Sequence, residues 1–121
     1  MNSTLEQMMS ELRAEYLASF PQKFTEIASH LEARDFLSLR NDFHKLKGTG
    51  KTYGIPEISE LCAVVEKICL NAAATTAPNA EATIVGVALS LLHRIVECRK
   101  SGQQLNLAEL QEFNQVKGAA S

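Results

Sequence analysis

The stretch from His44 to Gly54 reads HKLKGTGKTYG, and two incompatible structures compete for it. Its inner Gly48-Thr49-Gly50-Lys51-Thr52 looks like the end of a phosphate-binding loop. Such a loop needs a glycine, four residues, then Gly-Lys-Ser/Thr, and it follows a buried strand. Anchored on Gly50-Lys51-Thr52, the first glycine should stand at position 45, which is Lys45. The preceding residues, FLSLRNDFHKL, set Phe36, Leu39, Phe43 and Leu46 three and four apart, the period of a helix. No second apolar strand ending in an acidic residue offers a magnesium site. An ATP-binding domain therefore fails, and the stretch reads as the second half of a helix.

That helix begins after Asp35, a good cap, and ends at Gly54; Pro56 suits the first turn of the next one. The next carries Ile58, Leu61, Cys62, Val65, Ile68 and Cys69 on one side. NAAATTAPN (71–79) is the only loop-like stretch, and Pro78-Asn79 starts a helix with Ile84, Val87, Ala88, Leu91, Ile95 and Cys98 in phase, stopped by Ser101-Gly102. Upstream, Leu5, Met8, Leu12, Tyr16, Phe20, Phe24, Ile27 and Leu31 form one stripe, with Ser3 or Thr4 as its cap. Pro21 either kinks this helix or opens a second; the unbroken phase favours a kink. Asn106 and Glu109 resemble a capping box for a short last helix, with Leu107, Leu110, Phe113 and Val116 in phase and Gly118 closing it. The expectation is an all-α, antiparallel up-and-down four-helix bundle over about 4–101, with a short additional C-terminal helix over about 106–117, in a single domain spanning 1–121.

Composition agrees. The chain has 121 residues, 45% apolar and 21% charged, with no Trp, three Pro and six Gly, which suits one helical globular domain. A net charge of −2 gives no whole-chain pull toward nucleic acid. No apolar run approaches the ~20 residues of a membrane span, and no secretory leader is visible. Three cysteines, Cys62, Cys69 and Cys98, lack metal-ligand spacing and read as reduced core residues of a cytoplasmic protein. Glu57 and Glu60 flank a helix start, where they suit the helix dipole.

On a wheel turning roughly 100° per residue, His44 lies roughly 130° from the centre of the apolar stripe. Arg40, Lys47, Gly48, Lys51 and Leu37 share its flank. Near neutral pH an imidazole nitrogen can act as a nucleophile, and Lys47, Lys51 and Arg40 would offset the charge of an incoming phosphoryl group. Gly48 has no side chain to obstruct a partner, although a mid-helix glycine costs about 1 kcal/mol relative to alanine. Gly50, on the core side, fits close helix packing. An exposed histidine among lysines is also what an ordinary solvated face provides, so the wheel alone leaves both readings standing.

The pattern His44-x-Leu46-Lys47-Gly48, then Gly54, Leu61-Cys62 and Val65-Glu66, resembles the signature of histidine-containing phosphotransfer (HPt) domains. Helix lengths agree over nearly the whole chain. The resemblance implies a four-helix bundle whose histidine takes a phosphoryl group from a receiver-domain aspartate, or returns it. His44 would be the phosphoacceptor, Lys47 would steady the phosphoryl group, and Gly48 would leave room for the receiver, with Leu37 and Asn41 on the docking surface. Thr49-Gly50 stands where small Ser or Ala residues are usual, and Tyr53 where an aliphatic is usual. The chain would then be a monomeric phosphorelay intermediary and not an enzyme. It would bind no metal and no cofactor itself, with Mg2+ on the receiver of a response regulator or hybrid histidine kinase. The rival is a bundle that binds a receiver or kinase without carrying phosphate.

Overall fold

The computed structural model describes residues 2–120, with side chains from Thr4 to Ala120, and among them there is no strand. Six α-helices follow in order: α1 (Asn2–Ala18), α2 (Phe20–Glu32), α3 (Phe36–Thr52), α4 (Pro56–Ala73), α5 (Asn79–Lys100) and α6 (Gln111–Ala119). A single 3-10 turn, Leu107–Glu109, precedes α6.

The helix boundaries follow from local chemistry. Asp35 caps α3, accepting from the Ser38 amide at 3.1 Å and from its hydroxyl at 2.6 Å. Gly54 takes φ +73°, the left-handed conformation that an L side chain resists, and so turns the chain out of α3. Pro56 then opens α4, where its missing N–H costs nothing.

Five expectations need correction. The first stripe is not one kinked helix. The ladder breaks at Ser19 and Pro21 sits in the first turn of α2, because a proline cannot donate to the carbonyl four residues back. Leu5, Met8 and Leu12, in phase with the core, are 64%, 53% and 42% exposed; among its described side chains α1 buries only Tyr16 and Leu17. The loop after α4 is shorter than read, because the helix runs through Asn71–Ala73. The last segment divides: Asn106 caps the 3-10 turn, accepting from the Ala108 amide at 3.2 Å, and α6 starts afresh at Gln111 and runs past Gly118. The start of α1 at Asn2 puts Thr4 inside the first turn, and the Ser3 side chain lies outside the described residues.

The core is continuous. Leu39 and Phe43 of α3, Ile58, Leu61 and Val65 of α4, and Leu92 and Ile95 of α5 are all fully buried. α4 packs on α3, α5 and α6, and α2 and α1 also touch α5. Burying each such side chain contributes about 1.5–3 kcal/mol. At one end, Glu57 of α4 makes a two-pronged bond to Arg99 of α5, at 2.6 and 2.9 Å. Glu57 is 3% exposed, so it serves a buried ion pair and not the helix dipole alone. Cys62 and Cys69 are buried thiols, while Cys98 is only partly covered.

The α3–α4 contact is the most extensive in the fold, and Gly50 lets the two helices pack closely. A Cβ there would lie 2.9 Å from both Ile58 Cγ2 and Ser59 Oγ. Without it the helices approach until Ser59 Oγ donates to the Lys47 carbonyl at 2.6 Å. This approach fixes the register on which the site depends.

Candidate functional site

The exposed face of α3 carries His44, with its side chain 54% exposed. Its Nδ1 meets both oxygens of Glu66, at 3.0 and 3.2 Å, across the α3–α4 contact. An ionised carboxylate only accepts, so the ring hydrogen sits on Nδ1 and the lone pair on Nε2. The geometry thus aims one nucleophilic nitrogen away from the helix pair.

The same carboxylate gathers two cations. Lys47 Nζ lies 3.3 Å from Glu66 Oε2, and Arg40 Nη2 lies 3.7 Å from Oε1. Arg40 Nε is buried with no hydrogen-bond partner, and its Nη1 makes only a long 3.4 Å contact to Asn41 Oδ1. Glu66 itself is 8% exposed. Burial pushes its carboxyl up, but the hydrogen bonds from His44 and Lys47 and their charges outweigh this and hold it below its ordinary value.

The expected residues divide into two groups. His44, Lys47 and Arg40 converge on Glu66. Lys51 is exposed and stands two turns beyond His44, roughly 10 Å along the axis, outside this cluster. Gly48 is open: a Cβ there would meet nothing within 4 Å. Leu37 is 64% exposed and Asn41 is exposed as well, two turns and one turn before His44 on the same face.

Sequence reasoning missed the role of Glu66, although it interrupts the apolar run of α4 between Val65 and Ile68. A carboxylate there must either be exposed or find a partner, and that was the available signal. It also missed Leu70, one turn past Glu66 and 45% exposed, which adds an apolar side chain to the α4 side of this surface. The residues that depart from the usual pattern have work elsewhere. Tyr16 Oη and Thr49 Oγ1 share a hydrogen bond of 2.8 Å, and Tyr53 stacks on Tyr16 with ring centroids 4.5 Å apart. They tie α1 to the far side of α3.

The Hpt domain family model matches residues 11–115, most of the chain. The chain belongs to the Hpt domain family. Searches of curated proteins and of solved structures returned no match. Hpt domains are histidine-phosphotransfer modules of two-component signalling, and they interact with receiver domains and kinases. Among the described residues no helix is long and apolar enough to cross a membrane.

Proposed function

We propose that this Hpt domain is a phosphorelay intermediary in which His44 Nε2 takes a phosphoryl group from a receiver aspartate and gives it to another. The observation that carries the reading is the exposed imidazole fixed through Nδ1 on Glu66, with Lys47 beside it and open space over Gly48. Phosphoryl transfer asks mainly for positioning and charge stabilisation. The receiver supplies its aspartate and Mg2+; this chain supplies the nucleophile, the cations Lys47 and Arg40 and, more remotely, Lys51. It needs no catalytic pocket, binds no cofactor and is not an enzyme in its own right.

Leu37, Asn41, Gly48 and Leu70 form the docking surface around the histidine. We read the scaffold as an antiparallel up-and-down bundle of α2 to α5, with α1 extending α2 and α6 added at the end. Pairing of the start of α4 with the end of α5 through Glu57 and Arg99 supports that order, as does pairing of His44 with Glu66 between α3 and α4. The protein works as a monomer in the cytoplasm.

The test is to incubate the chain with a phosphorylated receiver and Mg2+ and map the product by mass spectrometry under alkaline conditions. The phosphoryl group is expected on the peptide holding His44. Its appearance only on peptides holding His30 or His93, or on none, defeats the reading.

A further inference from the structure

The phosphoacceptor reading explains why Nε2 is free, but not why a full carboxylate, with two oxygens near one ring nitrogen, sits behind it. A neutral amide would accept the same hydrogen bond. Charge is what distinguishes Glu66, and charge matters most after the reaction. When Nε2 uses its lone pair to bond phosphorus while Nδ1 keeps its hydrogen, the ring becomes a cation. A phosphohistidine in that form releases its phosphoryl group readily, because the departing ring leaves as neutral imidazole. If the Nδ1 proton is lost, the departing group would be an imidazolide anion and the bond persists.

We propose that Glu66 keeps the Nδ1 proton on phosphorylated His44, so that the phosphohistidine stays in its cationic, transfer-ready form. This rests on His44 being the phosphoacceptor. The charged groups facing the ring and its carboxylate are Arg40 and Lys47 of α3 and Glu66 of α4; the thiols of Cys62 and Cys69, also on α4 and near Glu66, are pushed up by burial and stay neutral. Asp42 of α3 turns the other way, to His30 of α2, at 2.6 Å. Arg40 and Lys47 oppose a cationic ring, and Glu66 is the group that favours it. The new phosphoryl group offers those cations a second anion. Lys47, held at 3.3 Å, and Arg40, held at 3.7 Å with its Nε unpaired, are the groups free to turn toward it. Glu66 then keeps its shorter contacts to the ring. Through the cycle the Nε2–P bond forms and breaks while the Nδ1 hydrogen stays in place. On release the bonding pair returns to Nε2, and a receiver carboxylate or water takes the phosphoryl group; water gives up one proton to solvent.

The experiment uses the purified chain without any receiver. Phosphoramidate phosphorylates imidazole directly: its P–N bond breaks as the Nε2–P bond forms, and ammonia leaves. Loaded parent and Glu66→Gln are freed of reagent, and loss of phosphohistidine is followed by phosphorus NMR from mildly acidic to mildly alkaline pH. Hydrolysis slows as pH rises in both, and the parent is expected to slow at a pH higher by about one unit, the effect of an opposite charge near the ring. Superimposable profiles, or an earlier break in the parent, overturn the proposal. The amide preserves the shape of the hydrogen bond, and thermal melts of both proteins exclude a folding defect. His44→Gln, treated alike, gives the background from His30 and His93. Equal loading of that variant would sink the phosphoacceptor reading itself, whereas normal loading with unshifted profiles sinks only the role of Glu66.

Discussion

Two histidines of this chain hold a carboxylate through Nδ1, and we propose chemistry for only one. His30, in the last turn of α2, meets Asp42 of α3 at 2.6 Å; His44, in the middle of α3, meets Glu66 of α4 at 3.0 Å. The pairs look alike, and the first is even shorter. They differ in what stands around them. Glu66 also collects Lys47 and Arg40, and the surface beyond His44 is cleared by Gly48. Asp42 serves His30 alone as an ion-pair partner, and His30 is 34% exposed against 54% for His44. A histidine–carboxylate couple fixes a tautomer; in the proposed reading, cations and open space are what would make it a phosphoryl acceptor.

The sharpest way to break this comparison is substitution of each histidine. His44→Gln should lose all phosphoryl uptake from a phosphorylated receiver, and His30→Gln should retain it, measured by label on the purified chain. Comparable losses in both would erase the distinction. Next in size is the surrounding charge. Lys47→Ala removes a charge-assisted contact worth about 1.5–3 kcal/mol, so the transfer rate should fall roughly ten- to a hundredfold in rapid-quench assays with saturating receiver. An unchanged rate would reduce Lys47 to a solvated side chain.

A third prediction concerns the helix contact that brings Glu66 to His44. Gly50→Ala drives a methyl group against Ile58 and Ser59 and should destabilise the fold by about 1–3 kcal/mol in denaturant melts. Gly48→Ala meets open space and should stabilise the helix by up to about 1 kcal/mol. The two neighbouring glycines should thus respond with opposite signs. A like response would mean that the close approach of α3 and α4 does not depend on Gly50.

The smallest effect is on acid stability. The Glu66 carboxyl is held below its ordinary value of 4.5 in the folded chain. Its contribution is therefore complete above that value and is lost as pH falls through the lower folded one. Parent and Glu66→Gln should differ most in thermal stability near neutrality and converge in acid. A gap that widens in acid would show that the carboxylate is not stabilised by its neighbours.

Much of this was legible in the sequence. The helical phase through Phe36, Leu39, Phe43 and Leu46, and Lys45 where a phosphate loop needs glycine, settled the reading of α3. The wheel placed His44, Lys47 and Gly48 on the exposed face because all three belong to one helix, where angle follows from spacing. Glu66 was not found that way: it lies 22 residues further on and reaches the ring through packing between helices. The phase of Leu5, Met8 and Leu12 misled for the converse reason. Periodicity shows that a helix has an apolar side, not that another helix covers it.

The central claim is that the chain carries the phosphoryl group on His44 between receivers. The most direct measurement adds a labelled phospho-receiver and Mg2+ to the parent and to His44→Gln, isolates the chain, and then adds a second, unlabelled receiver. The account predicts acid-labile, base-stable label on the parent only, and its passage to the second receiver. Label persisting on His44→Gln, or label on the parent that no receiver can remove, would contradict it.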